Sequence, residues 1–177
     1  MEAAFGPDSA IFAETTDRLN RIFAQAANAP PVASRFREWQ SRQDPGPAEE
    51  SLFIHQTYLA LLARFAARRF VAPRRPVIGD EELLEVINVD YFSRRGIGNL
   101  GEGDIFSWLP LEPRWELGLD DLVLEAVRGL AEALAPYDFV NASPGILDVQ
   151  YRETVPRWLA EYDVEEELGL ADDTGLS

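Results

Sequence analysis

The sequence predicts an all-α fold: an irregular domain of about six to eight helices around one long central helix. Three observations lead there. Residues 49–72 contain no glycine or proline and are rich in alanine and leucine, with Glu49 and Glu50 at the start and Arg68 and Arg69 at the end. Those charges complement the helix dipole at both termini. Several other segments carry apolar residues at spacings of three and four, the period of a helix packed on one face. No segment alternates apolar and polar residues in the manner of a half-buried strand.

In chain order, residues 8–28 form the first expected helix. Asp8 or Ser9 is its N-cap, and Ile11, Phe12, Leu19, Ile22 and Phe23 form its apolar stripe. Pro30 and Pro31 break it, and a shorter helix over about 32–43 carries Phe36 and Trp39. The central helix is apolar on two sides. Ile54, Tyr58, Leu61, Leu62 and Phe65 make one stripe, and Leu52, Leu59, Ala66 and Phe70 make another. Ala60, Ala63 and Ala67 add a small-residue face for close approach. A helix apolar on more than one side belongs inside a domain, not on its surface.

Pro73 to Gly79 connects to a helix capped by Asp80, with Glu81 and Glu82 in its first turn and Leu83, Leu84, Val86 and Ile87 inward. A glycine-rich loop over 93–103 precedes a short helical turn from Asp104 with Ile105, Phe106 and Trp108, ended by Pro110 and Pro113. Residues 119–135 form an amphipathic helix capped by Asp120 or Asp121. Ser143 and Pro144 open a helix through Tyr151, Pro156 restarts the chain into a helix over 158–168, and the residues after Gly169 are acidic. The organisation is an N-terminal helical extension (1–48), a main helical region (49–170) and an acidic tail (171–177).

A length of 177 residues suits one domain. A hydrophobic content of 46% with 11% aromatics excludes global disorder. The absence of cysteine excludes disulfides, zinc–thiolate sites and thiol catalysis. The first residues lack the basic start and apolar run of a signal peptide, and the arginines of the longest helix oppose a membrane span. A cytoplasmic protein with no membrane partner is expected.

The formal net charge is −15, and all sixteen basic residues are arginine. Two readings account for this: a proteome that replaces lysine with arginine and carries acidic surfaces, or a face that binds a basic partner. In either case the mean charge opposes tight DNA binding by the chain alone, because phosphate contacts need positive surface.

Gly96-Ile97-Gly98-Asn99-Leu100-Gly101 matches the dinucleotide fingerprint G-x-G-x-x-G. That chemistry needs a strand before the glycines and a helix immediately after, so that backbone N–H groups meet a pyrophosphate. The preceding segment reads as helix and turn, so the glycines are read as a structural loop. Arg64, Arg68, Arg69, Arg74, Arg75, Arg94 and Arg95 form the one basic cluster in an acidic chain. Arginine suits phosphate, which makes them candidate DNA-facing residues. The competing reading is compensation of the helix dipole plus surface ion pairs with Glu81, Glu82 and Glu85. His55 is the only histidine, so neither a catalytic triad nor a multi-histidine metal site is supported, and no catalytic, cofactor-binding or metal-ligating residue is assigned. Trp39, Trp108, Trp115 and Trp158 are scattered and read as core.

Two segments carry a resemblance. The first is His55-Gln56-Thr57-Tyr58-Leu59. The second is Leu84 through Phe92, which runs into Arg94-Arg95-Gly96-Ile97-Gly98-Asn99-Leu100-Gly101-Glu102-Gly103-Asp104-Ile105-Phe106-Ser107-Trp108. Together they resemble the helical region N-terminal to the catalytic domain of large adenine-specific DNA methyltransferases of restriction-modification and phage-defence systems. That family has a phrase like E-Y-F-R-R-R-G-I-x-N-F-x-E-x-D-F-F-S-W. Tyr137-Asp138-Phe139, Ile146-Leu147, Tyr151 and Trp158-Leu159-Ala160-Glu161 extend the likeness to roughly residues 49–170. The family's F-x-G-x-G loop for S-adenosylmethionine and its N-P-P-Y motif for a flipped adenine are absent from this sequence, so no catalytic residue is carried over. The resemblance therefore implies a non-catalytic helical segment or split subunit. Its partner would be a methyltransferase catalytic domain or subunit, S-adenosylmethionine would belong to the completed enzyme, and DNA would be met as part of the assembly. The alternative is an acidic all-α interaction module or regulator that binds a basic partner.

Overall fold

A computed structural model describes residues 2–43, 46, 48–88, 90–97, 106–109 and 117–141. Among them are seven helical segments and no strand: α1 (Glu2–Phe5), α2 (Ala10–Ala26), α3 (Pro30–Arg42), α4 (Glu50–Val71), α5 (Asp80–Ile87), α6 (Asp90–Ser93) and α7 (Asp120–Leu134). The all-α class is as expected. The helices expected over 143–151 and 158–168, and the turn expected from Asp104, lie wholly or partly outside the described residues.

The helix ends show where local chemistry agrees with the sequence pattern and where it shifts. Ser9 caps α2, its Oγ accepting from the Phe12 N–H at 3.2 Å. Pro30 and Pro31 do not precede α3 but form its first two positions, where a proline removes only an N–H that no helical carbonyl would meet. The caps of α5 and α7 each fall one residue before the expected aspartates, on Gly79 and Leu119. Asp80, Asp120 and Asp121 sit inside the first turns, where their charge faces the positive end of the dipole.

The short helix α6 ends in a Schellman motif. Gly96 N–H donates to Ser93 O at 3.1 Å, Ile97 N–H donates to Phe92 O at 3.0 Å, and Gly96 has φ +74°. The first glycine of the G-x-G-x-x-G match is thus a helix C-terminal glycine, and a helix, not a strand, leads into it. Its presence is explained by the left-handed turn alone.

Helix α4 is the centre. Fifteen of its residues are buried, on every side of the helix. Phe53 is a hub: its ring centroid lies 5.1–5.6 Å from those of Phe36, Trp39, Phe23 and Phe106, and 6.1 Å from that of Trp108. Such aromatic contacts add to the area they bury. Two indole N–H groups are satisfied on α4 itself, Trp39 on Gln56 Oε1 at 2.7 Å and Trp108 on Thr57 Oγ1 at 3.0 Å.

Helices α2 and α7 both pack on α4 and on each other. Gly129 lets them approach: a Cβ there would meet Arg18 Nη1 at 3.3 Å and Ile11 Cδ1 at 3.8 Å. Tyr58 Oη donates to Phe5 O at 2.7 Å, which seats the turn after α1. Phe12, Leu19, Ile22, Phe23, Val32 and Trp39 share one core with α4 and α7, so the N-terminal segment is an integral layer of the same core. Among the described residues no helix is long and apolar enough to cross a membrane.

Candidate functional site

The arginine cluster is the candidate site, and the fold divides it. Arg64 and Arg68 extend a line along α4 that begins at Phe53 and Thr57, at spacings of four and seven. That line faces α5 and the 106–109 turn, so both guanidinium groups point into protein. Arg64, Arg68 and Arg69 are 1%, 0% and 3% exposed. The expectation that these three present a DNA-facing surface is corrected here: a side chain that leaves no surface to solvent does not reach a phosphate.

Each buried arginine ties α4 to other segments. Arg64 Nη1 donates to Ile87 O at 3.0 Å and Nη2 to Ser107 Oγ at 3.1 Å, joining the end of α5 to the 106–109 turn. Arg68 holds Glu82 through Nε at 3.2 Å and through Nη2 at 3.0 and 3.1 Å, while Nη1 donates to Arg75 O. This is the paired, multiply bonded geometry that makes a buried guanidinium tolerable. Arg69 donates to Pro73 O at 3.2 Å and Tyr137 O at 2.8 Å, with its Cζ 4.9 Å from the Phe139 ring centroid. Its Nε is buried with no hydrogen-bond partner among the described residues. Burial lowers the Arg69 pKa, the neighbouring Arg68 charge adds to this, and Asp138 opposes it.

The other four arginines are exposed. Arg94 Nη2 is 2.5 Å from Glu85 Oε2, and that hydrogen bond holds the Glu85 carboxyl below its ordinary pKa. Arg95 donates to Tyr91 O at 2.8 Å and lays its Cζ 3.7 Å from the Tyr91 ring centroid, a cation–π contact. Arg68 sits 5.9 Å from the same ring, so Tyr91 links the buried arginines to the exposed pair. Arg74 and Arg75 have no ion-pair partner among the described residues. The dipole-and-ion-pair reading thus holds for Arg68 with Glu82 and Arg94 with Glu85. The surface available to an anion comes down to Arg74, Arg75, Arg94 and Arg95.

His55 is half-buried against Phe12, ring centroids 5.0 Å apart, and burial lowers its pKa. Tyr58 is likewise pushed up by burial, which keeps its hydroxyl a donor. Among the described residues no group of three or more His, Cys, Asp or Glu side chains is arranged to hold a metal ion. Sequence reasoning missed the burial of the arginines and the two indole hydrogen bonds on α4. One signal was available: Phe53, Thr57, Arg64 and Arg68 fall on one helical line, so the arginines continue a buried face.

Compared with known proteins, the chain matches no family model, no curated protein and no solved structure.

Proposed function

We propose that this chain is a non-catalytic helical module of an adenine-specific DNA methyltransferase of the restriction-modification or phage-defence type. It would brace a catalytic domain carried elsewhere and border the DNA. The reading rests on the resemblance, and one structural observation supports it. The two resembling segments, far apart in sequence, meet in the core through Trp108 Nε1 on Thr57 Oγ1. Tyr91, Phe92, Phe106 and Trp108 of the long phrase are all buried. The phrase therefore reads as the packing code of one helical module, with its first glycine, Gly96, terminating α6. S-adenosylmethionine and the adenine pocket belong to the partner, and DNA contact belongs to Arg74, Arg75, Arg94 and Arg95.

The test is affinity purification of the chain with mass spectrometry of what accompanies it, followed by DNA binding of the assembly. The expected partner carries F-x-G-x-G and N-P-P-Y. Changing Arg74, Arg75, Arg94 and Arg95 to Glu is predicted to weaken DNA binding and to flatten its salt dependence by about 0.9 in log–log slope per lost phosphate contact. A wild-type affinity and slope in that variant would remove the DNA assignment.

A second reading gains from the burial of Arg64, Arg68 and Arg69. With Arg64 and Arg69 withdrawn inside, and Arg68 withdrawn together with its partner Glu82, the surface is more one-sidedly acidic than the formal −15 conveys. This favours an acidic interaction module for a basic partner. Recovery of a basic partner without the two methyltransferase motifs decides for it.

A further inference from the structure

Within the 64–95 cluster only four arginines reach the surface, but a second run of positive charge lies earlier in the chain. From Arg18 to Gln43 the sequence holds five arginines and a single acid, Glu38, and none of the five arginines is buried. Three of them stand on α3. The core takes the line of Val32, Phe36 and Trp39 on that helix, with the Phe36 ring against Phe23 and Phe53 and the Trp39 indole on Gln56. Helical periodicity then fixes the opposite face. Arg35, Glu38 and Arg42 form one line at spacings of three and four, and Ser34, Arg37 and Ser41 form the line beside it at the same spacings. Glu38 is the only carboxylate on this face, and two arginines share it: Arg42 Nη2 lies 2.8 Å from one oxygen and Arg35 Nη1 3.8 Å from the other. Arg37 is exposed and has no ion-pair partner among the described residues.

We propose that this face of α3 binds the phosphate backbone of a double-stranded nucleic acid. Three guanidinium groups against one carboxylate leave the face positive. At physiological ionic strength a charge acts over ~8 Å, so a phosphate on α3 meets these arginines and not the mean charge of the chain. Arg35 and Arg42, seven residues apart, are separated by ~10 Å along the helix axis, about the rise of three phosphates of one strand. Ser34 and Ser41 lie between Arg37 and the Arg35–Arg42 pair, and their short side chains leave room for a sugar–phosphate chain to come close. The exposed large apolar residues among those described, Val71, Val77, Leu117 and Val140, all lie elsewhere. That selects the partner: an acidic peptide or a membrane surface takes apolar anchors as well as charge, whereas a phosphate backbone takes polar and charged donors alone.

Helix α3 lies in residues 1–48, outside the segments that carry the resemblance, so this contact does not rest on the methyltransferase reading. It is tested on the full chain by amide NMR, titrating a random-sequence DNA duplex of about 20 base pairs at ~0.1 M salt. The amides of α3 are expected to shift together. Those shifts should be lost in about 1 M salt and in R35Q/R37Q/R42Q, whose exposed glutamines suit a helix. Glu38→Gln, which frees Arg35 and Arg42, is expected to strengthen binding, a gain that no loss of folding imitates. Amides of α3 that stay still overturn the proposal, as do shifts that persist in the triple variant or binding that E38Q leaves unchanged or weakens. Equal shifts with poly-glutamate overturn it in favour of an acidic protein as the partner. The same titration reads Arg74, Arg75, Arg94 and Arg95. Shifts at those four with α3 still would sink this contact and leave their DNA assignment standing, and the reverse pattern would do the opposite.

Discussion

The two ends of α4 solve the same problem, burial on all sides, with opposite chemistry. Toward its N-terminus, Leu52, Phe53, Ile54 and Tyr58 are buried, with Phe53 and Tyr58 against rings from α2, α3 and the 106–109 turn. Toward its C-terminus, Arg64, Arg68 and Arg69 are enclosed by carbonyls, a carboxylate and two aromatic faces. The first end gains from area removed from water, about 1.5–3 kcal/mol for each large apolar side chain fully buried. The second end gains from geometry: a guanidinium carries five N–H donors on a plane and can bond several backbone segments at once. The difference teaches that loops too short to build a core of their own can be fastened by cations reaching out of a helix. It also separates two kinds of fragility. An apolar end yields gradually as contacts are trimmed, whereas a polar end fails when one partner is lost and the other is stranded.

The sharpest way to break the comparison is therefore Arg68→Ala. It strands the Glu82 carboxylate and frees the Arg75 carbonyl. The expected loss is about 3 kcal/mol in urea unfolding, near the low end for a buried pair because the Glu82 side chain keeps 19% of its surface in water. Replacing both partners, as R68M/E82L, is expected to restore most of that loss, since an apolar pair has no stranded charge. If the double variant is as unstable as R68A, the arginine's worth lies in its other contacts, on Tyr91 and the loop carbonyl, and not in the ion pair.

The aromatic end has its own polar dependence, smaller and testable. Thr57 Oγ1 donates to Phe53 O at 2.9 Å and accepts from Trp108 Nε1 at 3.0 Å, all inside the core. Thr57→Val keeps the shape and removes the acceptor, leaving a buried indole N–H unmet. A cost of about 2 kcal/mol is expected, with Thr57→Ser recovering much of it. Equal losses for Val and Ser would assign the effect to packing of the methyl group instead.

How much of this was legible follows from the same contrast. Apolar periodicity records burial directly, so the stripes of α2, α4 and α7 and the centrality of α4 could be read from spacing. Arginine records no such thing. Its side chain belongs equally to a solvated face or a buried bond network, and the choice rests on acceptors contributed by residues far away in sequence, such as Tyr137 O and Ile87 O. The basic cluster was therefore visible as a cluster, while its division into three buried and four exposed members was signalled only for Arg64 and Arg68, by the line they share with Phe53 and Thr57. Gly96 illustrates a third case: its motif matched a phosphate loop letter by letter, and only the helix before it, ending in a left-handed turn, tells what the glycine does.

His55 offers the smallest and most specific test of the aromatic end. Its ring lies against Phe12, and burial alone lowers its pKa below the ordinary 6.5. In the unfolded chain the imidazole therefore binds a proton at a higher pH than in the folded one. Between the two pKa values the unfolded state holds more protons, so stability rises with pH across that window and falls as pH drops below 6.5. The contribution is fully present above 6.5 and is lost progressively toward the folded-state value. His55→Gln, which does not titrate, is expected to remove this slope just below pH 6.5, above the range where carboxylates dominate. A wild-type slope that persists in H55Q would place the titrating group elsewhere in the chain.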